Sequence, residues 1–470
     1  MAKQLFKSSE KSNFILNLTE EKYSKIASLG LIAACFAVSA ATAVPVLMEN
    51  KMYSISAAGL SIAGVICMIT AFIGAIKKYI SKKQLMPLCA MGVFLLWSVI
   101  SLINSYDKEV GFYGFPGRGE GLLATIFYIC IFVTAISVKR EKTLKTLIYG
   151  IIGNGLLNSI FAFVQIFTGK FSEYRNAAIK IEINAASGFS QSPIFLAMVL
   201  SISIGAAIIG SLLLKGKGNK IFCIVSAAVF SFVNMFTYSL VGIVGTVLAI
   251  IVGAAAVFIL KAPKKNLFSL FSVAVPAAAA VLIVQLGAVG NISEYKLYDG
   301  RILWTMDSYG RVNSSGNYDS DLVDIDDIQD VYYTINRKTV DIINAHGLMG
   351  TGPEQLLYPQ LYTYGPVGSA ESAIEDVAIM NKGTFDKTYN EYLYTAATRG
   401  IPSALALSAA FIGIIFIGLV NFKKHRNGYS LCMTLLSGMG VLLYLISCGN
   451  TAFSPIFWVI AGLSCADIKN

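Results

Sequence analysis

Charged side chains are scarce in this chain, and several stand beside glycines or aromatics at the edges of long apolar runs. GFPGRGEGLL (Gly114–Leu123) sets Arg118 between glycines, which permit close backbone approach, and Glu120 at a helix start, where the dipole favours a carboxylate. DGRILW places Arg301 three residues before Trp304, and Arg337 lies on the apolar-periodic stretch VYYTINRKTVDIINA. FDKTYNEYLYTAATRGIPS (Phe385–Ser403) carries Asp386, Tyr389 and Asn390 towards another apolar run. If this last segment is helical, Tyr389, Leu393 and Ala396 share a face, Asp386 lies one turn back and Glu391 points away. Guanidinium is a planar, permanently charged fork that matches phosphate oxygens. One such contact at ~4 Å and an effective dielectric of ~20 is worth about 4 kcal/mol before desolvation. Two or three would hold a diphosphate and stabilise it as it leaves, without a metal. The bland alternatives are a loop-to-helix cap with an Arg–Glu pair at 118–120, and arginines that merely face solvent.

The elements that must position these residues are membrane helices. Apolar residues make up 55% of the 470, charged residues only 14%, and mean hydropathy is +0.66, against roughly 25% charge in a soluble domain. Twelve apolar runs read as spans: 26–47, 54–76, 85–104, 120–138, 144–168, 191–214, 220–238, 240–260, 267–287, 402–421, 428–447 and 452–466. Most reach the ~20 residues that cross ~30 Å of hydrocarbon. The expected fold is an all-α polytopic membrane protein with about twelve transmembrane helices and one large, partly helical extracytoplasmic loop between helices nine and ten. Its parts are a cytoplasmic tail (1–25), nine helices (26–287), the cap loop (288–401) and three closing helices (402–470). With both termini inside, 23 of the 37 Lys and Arg residues fall in cytoplasmic segments, as the positive-inside rule requires. The net charge of +10 therefore reports membrane orientation rather than a nucleic-acid partner.

The cap loop holds sixteen carboxylates against eight basic residues. Its acidic run DSDLVDIDDIQD lacks the Gly at the sixth position and the Glu at the twelfth that a calcium loop needs, so a solvated face is expected. GTGP (Gly350–Pro353) is a turn leading into a short helix, EQLLYPQL. All eight cysteines lie in or at the edge of spans. Neither a metal nor a cofactor is expected.

In this order, these segments resemble the O-antigen ligase/polymerase family. GRGEGLL is similar to the family's R-x-E-G-x-L at the head of a span, and NGLLNSIFAFVQIFTG, with Gln165, to its glutamine-glycine span. SGFSQSPIFLAMVL is similar to its G-T-F-x-N-P-N segment, and DGRILW to S-G-R-x-x-x-W shortened by one. GLMGTGPEQL resembles its G-x-G-P turn, and FDKTYNEYLYTAATRGIPS its D-K-x-H-N-x-Y-L segment. The resemblance implies a metal-independent, inverting glycosyltransferase of the bacterial plasma membrane, of the C-type kind. It would take a glycan from a polyprenyl-diphosphate donor to a glycan or lipid acceptor on the outer face. It also implies diphosphate binding by Arg118 and by Arg301 or Arg337, with acceptor activation at the position of Tyr389.

Two positions depart from the family. Leu240, in TYSLVG (Thr237–Gly242), stands where the family has arginine, and Tyr389 where it has histidine. A tyrosine, titrating near ~10, is a poor base at neutral pH, and Asp386 is the expected substitute. The departures leave open either different acceptor activation or a non-catalytic, ligase-like partner in surface-glycan assembly. A lipid-linked glycan transporter is the third reading, weakened because no internal repeat is visible and the charges gather at outer helix ends rather than mid-span.

Overall fold

The computed structural model describes residues 17–47, 54–115, 118–168, 175–176, 181–182, 185–190, 192–285, 328–362 and 386–468. The helices are α1 (Glu20–Leu47), α2 (Ser54–Ile76), α3 (Leu85–Ile103), α4 (Lys108–Tyr113), α5 (Leu122–Ile136) and α6 (Glu141–Thr168). There follow α7 (Pro193–Leu213), α8 (Lys217–Met235), α9 (Leu240–Ile259), α10 (Phe268–Gln285), α11 (Ile328–His346) and α12 (Tyr358–Tyr362). The chain ends with α13 (Glu391–Arg399), α14 (Ile401–His425), α15 (Gly428–Leu443) and α16 (Ser454–Cys465). Among the described residues, β structure is confined to one two-residue antiparallel pair, Arg175–Asn176 with Ile181–Glu182.

Among the described residues, eight helices are long and apolar enough to cross a membrane, so this is an all-α, multi-pass membrane protein. Shorter apolar helices stand at Leu122–Ile136, Phe268–Ile283, Gly428–Leu443 and Ser454–Cys465. Helix α1 begins at Glu20, earlier than the apolar run that starts at 26. Its Glu20 and Glu21 favour a helix N-terminus, and Glu21 pairs with Lys25 one turn on at 3.2 Å.

The centre of the bundle is α7, buried from Pro193 to Ser211 among α6, α8, α9 and α15. Lipid offers apolar helices no hydrophobic reason to associate, so small residues and interhelical hydrogen bonds hold such bundles. Asn234 on α8 donates to Ser201 on α7 at 3.2 Å and to Thr246 on α9 at 3.1 Å. Asn158 on α6 donates to Ser39 on α1 and accepts from Phe189 N and Ser190 Oγ. Two turns further along α6, Gln165 accepts from Ser187 N and Gly188 N at 3.0 and 2.8 Å. These two amides clamp the 185–190 loop that feeds α7.

Candidate functional site: a buried ion network at one end of the bundle

Three loops converge beside α13. The first enters α5 from α4, whose N-terminus is capped by Asp107 accepting from Glu109 N and Val110 N. Gly114 turns the chain at φ +90°, where a Cβ would lie 2.7 Å from Gly119 C and 2.8 Å from Gly121 N. Only glycine fits there, and the turn carries Arg118 and Glu120 inward. The second loop, 347–357, is clipped to the end of α13: Thr351 N donates to Ala397 O at 3.0 Å and Gly352 N to Thr398 O at 2.8 Å. Its Glu354 sits at φ +65°, a conformation that costs a non-glycine residue about 1–3 kcal/mol and clusters at functional sites. The third loop, 386–390, ends where Asn390 caps α13 by accepting from Tyr392 N and Leu393 N.

Arg118 is 3% exposed. Its Nη1 lies 2.7 Å from Asp386 Oδ2 and its Nε 3.5 Å from Glu354 Oε2, while its guanidinium stands 5.1 Å from the Phe115 ring centre. Tyr394 donates to Glu354 Oε1 at 2.7 Å. Lys387 pairs with Glu120 Oε2 and donates to Gly449 O at 3.0 Å; Glu120 Oε1 accepts from Thr451 N at 2.9 Å. Glu391 accepts from Gly449 N at 2.6 Å and from Thr395 Oγ1 at 3.1 Å. Arg399, also buried, lies over the Phe94 ring at 5.3 Å. Three cations and four carboxylates thus share one buried region.

Burial dominates the titration of the acids and neighbouring charges correct it. Glu120 is pushed up to about 6 by burial, against the opposing pull of Lys387. Asp386 is raised by burial more than Arg118 and Lys387 lower it. Glu391 is raised by burial despite the Gly449 amide. Burial would raise Glu354 too, but Arg118, Lys387 and the Tyr394 hydroxyl together hold it below its ordinary value. Burial disfavours the charge on Lys387, yet Glu120, Cys448 and Glu354 together outweigh it and lift the ammonium above its usual range.

A cavity of about 50 Å³, lined by Glu120, Glu354, Glu391, Tyr394 and Arg399 among others, lies inside this network. It has room for a water or two, not for a sugar diphosphate. A smaller cavity next to it places Tyr389 with Lys387, Thr388 and Cys448 against Ile194 and Phe195 at the start of α7.

Of the sequence-derived site residues, Arg118 and Asp386 are in direct contact, and Tyr389 is buried three residues further along the same loop. Arg337 is exposed on α11, a helix that packs on α13, and does not join the network. Arg301 lies outside the described residues, as do most of the acidic run and Phe385. Leu240 opens α9 as a half-buried residue behind the N-cap Ser239.

The helix expected to include Asp386 and Tyr389 is corrected: it starts at Glu391, because the Asn390 side chain terminates it. Glu391 consequently points into the network instead of away from it. The short helix expected from Glu354 starts only at Tyr358, since Glu354 has left-handed backbone. Glu354, Lys387, Glu391 and Arg399 are the members that sequence reasoning missed. A detectable signal existed for Glu391, as Asn followed by Glu reads as an N-cap with an acidic first turn. The Gly449–Thr451 loop contributes backbone groups alone and carries no such signal.

Compared with known proteins, the chain matches no family model and no curated protein.

Proposed function

We propose that this protein is a membrane glycosyltransferase of the O-antigen ligase/polymerase type. It would move or polymerise a surface glycan from a polyprenyl-diphosphate donor on the outer face of a bacterial plasma membrane. The observation that carries this reading is the Arg118–Asp386 contact at 2.7 Å, with Glu354 on the same guanidinium. It joins three segments that resemble the family motifs, GRGEGLL, GTGPE and DKTYNEY, across more than 260 residues of chain. A fourth, SPIF, abuts Tyr389 through Ile194 and Phe195. In this reading the four shorter apolar helices also span, making twelve, and the lysine-rich end of the bundle with both termini is cytoplasmic.

Arg118 and Lys387 supply the positive charge for the donor. The diphosphate displaces the Asp386 and Glu120 carboxylates from these cations, and Asp386 becomes free. The acceptor hydroxyl oxygen then bonds to the anomeric carbon, whose bond to the diphosphate oxygen breaks. The electron pair leaves with the polyprenyl diphosphate, and the hydroxyl proton passes to Asp386. Asp386 suits this step better than Tyr389, since it is a carboxylate whose proton affinity burial already raises.

The mutual neutralisation of Arg118 and Asp386 favours a second reading, a non-catalytic ligase-like partner whose ion network only holds loops together. The two separate on Asp386→Asn in proteoliposomes supplied with polyprenyl-diphosphate oligosaccharide and acceptor. Asp386→Asn leaves Arg118 paired with Glu354, so the fold should persist while turnover falls by about 10²–10⁴, the usual worth of a general base. Transfer undetectable in the unmodified protein, with surface-glycan length and attachment unchanged on deleting its gene, would exclude the transferase.

A further inference from the structure

At the opposite end of the bundle, a cavity of about 230 Å³ opens between the start of α3, the end of α14 and the tail after α16. Lys82, Lys83 and Lys424 line it. All three are exposed, and none takes part in an ion pair among the described residues. Asp467, the carboxylate on its wall, faces His425 at 3.1 Å. Two buried amides hold the walls in place: Gln84 Nε2 donates to Cys465 O at 2.7 Å, and Asn421 Nδ2 to the same carbonyl at 3.2 Å. The stretch from Lys82, just before α3, to Ser101 on α3, which donates to Thr398 beside the ion network, is about 30 Å long at 1.5 Å per residue. The cavity and the network therefore stand a hydrocarbon thickness apart.

We propose that this cavity binds the phosphate head group of an anionic membrane phospholipid. Three lysines present nine ammonium hydrogens as phosphate donors, and the pinned walls make the site preformed, which lowers the entropy lost on binding. Ile417 lines the inner wall, two helical turns, or about 10 Å, deeper than Lys424. Leu85 and Met86, next to the lysines on α3, are about half exposed and face where acyl chains would lie. A cationic mouth over an apolar wall fits a lipid better than a free anion, which would gain nothing from Ile417. This site stands independently of the transferase reading and needs only the membrane setting of the spans.

The test is native mass spectrometry of the purified full chain in detergent, titrated with phosphatidylglycerol, phosphatidylcholine or inorganic phosphate. The expected result is one saturable phosphatidylglycerol. Its affinity should fall by about fivefold for each lysine removed, and by about 100-fold in Lys82→Gln/Lys83→Gln/Lys424→Gln. The equally basic control Lys215→Gln/Lys217→Gln/Lys220→Gln should change it less than about twofold. Ile417→Trp, which fills the cavity and leaves the lysines intact, should also block binding. Equal losses in the two triple variants, equal binding of phosphatidylcholine, or displacement by inorganic phosphate at the lipid's own concentration would each overturn the proposal.

Discussion

Removing the Arg118 side chain should destabilise the protein severely, for a reason that can be worked from distances. Its guanidinium lies 2.7 Å from Asp386 and 3.5 Å from Glu354, gross attractions of about 6 and 5 kcal/mol at an effective dielectric of ~20. Desolvation offsets much of this, so the pairs add little over an apolar substitute, but deleting one partner leaves uncompensated buried charge at about 3–5 kcal/mol. Arg118→Ala should lose that amount in equilibrium denaturant unfolding of the detergent-solubilised chain. Asp386→Asn, which keeps the Glu354 contact, should lose about 1.5–3 kcal/mol. The double variant should lose less than the two together, with a coupling of about 1–3 kcal/mol, because the orphaned carboxylate has gone. A coupling below about 0.5 kcal/mol would refute the pairing and with it the convergence of the three loops.

Glu120 gives a pH prediction. The folded chain holds its proton up to about 6, against an ordinary 4.5. The folded state therefore binds more protons in that window, and stability falls as pH rises through it, by about 2 kcal/mol at 1.36 kcal/mol per unit. Asp386 and Glu391 are shifted in the same direction, whereas Glu354 acts only below 4.5. Thermal midpoints should decline from pH 4.5 to 6, and a decline of unchanged size in Glu120→Gln would remove Glu120 as its source. Asn390→Ala should cost about 1 kcal/mol, read as a lower unfolding midpoint, because the Tyr392 and Leu393 amides lose their acceptor. Tyr389→His should raise glycan transfer by up to about 10²-fold if a weakened acid–base step limits turnover; an unchanged rate would place proton transfer elsewhere.

How much of this was legible depends on which physical rule governs each residue. The apolar runs were readable because hydrocarbon tolerates no unpaired backbone, so composition alone marks helices. Arg118 and Asp386 stood out because a charge beside a span rarely lacks a purpose. Extending the helical periodicity through Asn390 puts Asp386 and Tyr389 on the wrong side of the helix start and turns Glu391 away from the network, because the Asn390 capping side chain overrides it. Lys387 and Glu354 were invisible for a different reason. Their partners, Glu120 and Arg118, are more than 230 residues away, and only the tertiary arrangement decides that they are buried. The same holds for the lysine cavity, whose walls come from positions 81–84, 417–424 and 467.

Under the proposed function, a transferase would have to keep these carboxylates where a diphosphate would sit. Four acids against three cations leave one formal negative charge in a buried region, and burial raises Glu120 to about 6, towards taking a proton that would cancel it. An incoming diphosphate competes with single carboxylates on Arg118 and Lys387 and brings more charge to each, so the exchange favours it electrostatically. What opposes the exchange is the charge set free on Asp386. In the proposed reaction, proton transfer from the acceptor hydroxyl would neutralise that carboxylate in the step that breaks the glycosyl bond. The penalty of exposing Asp386 is then present in the bound ground state and relieved as the reaction proceeds, which is the condition for an interaction to accelerate chemistry rather than merely bind substrate.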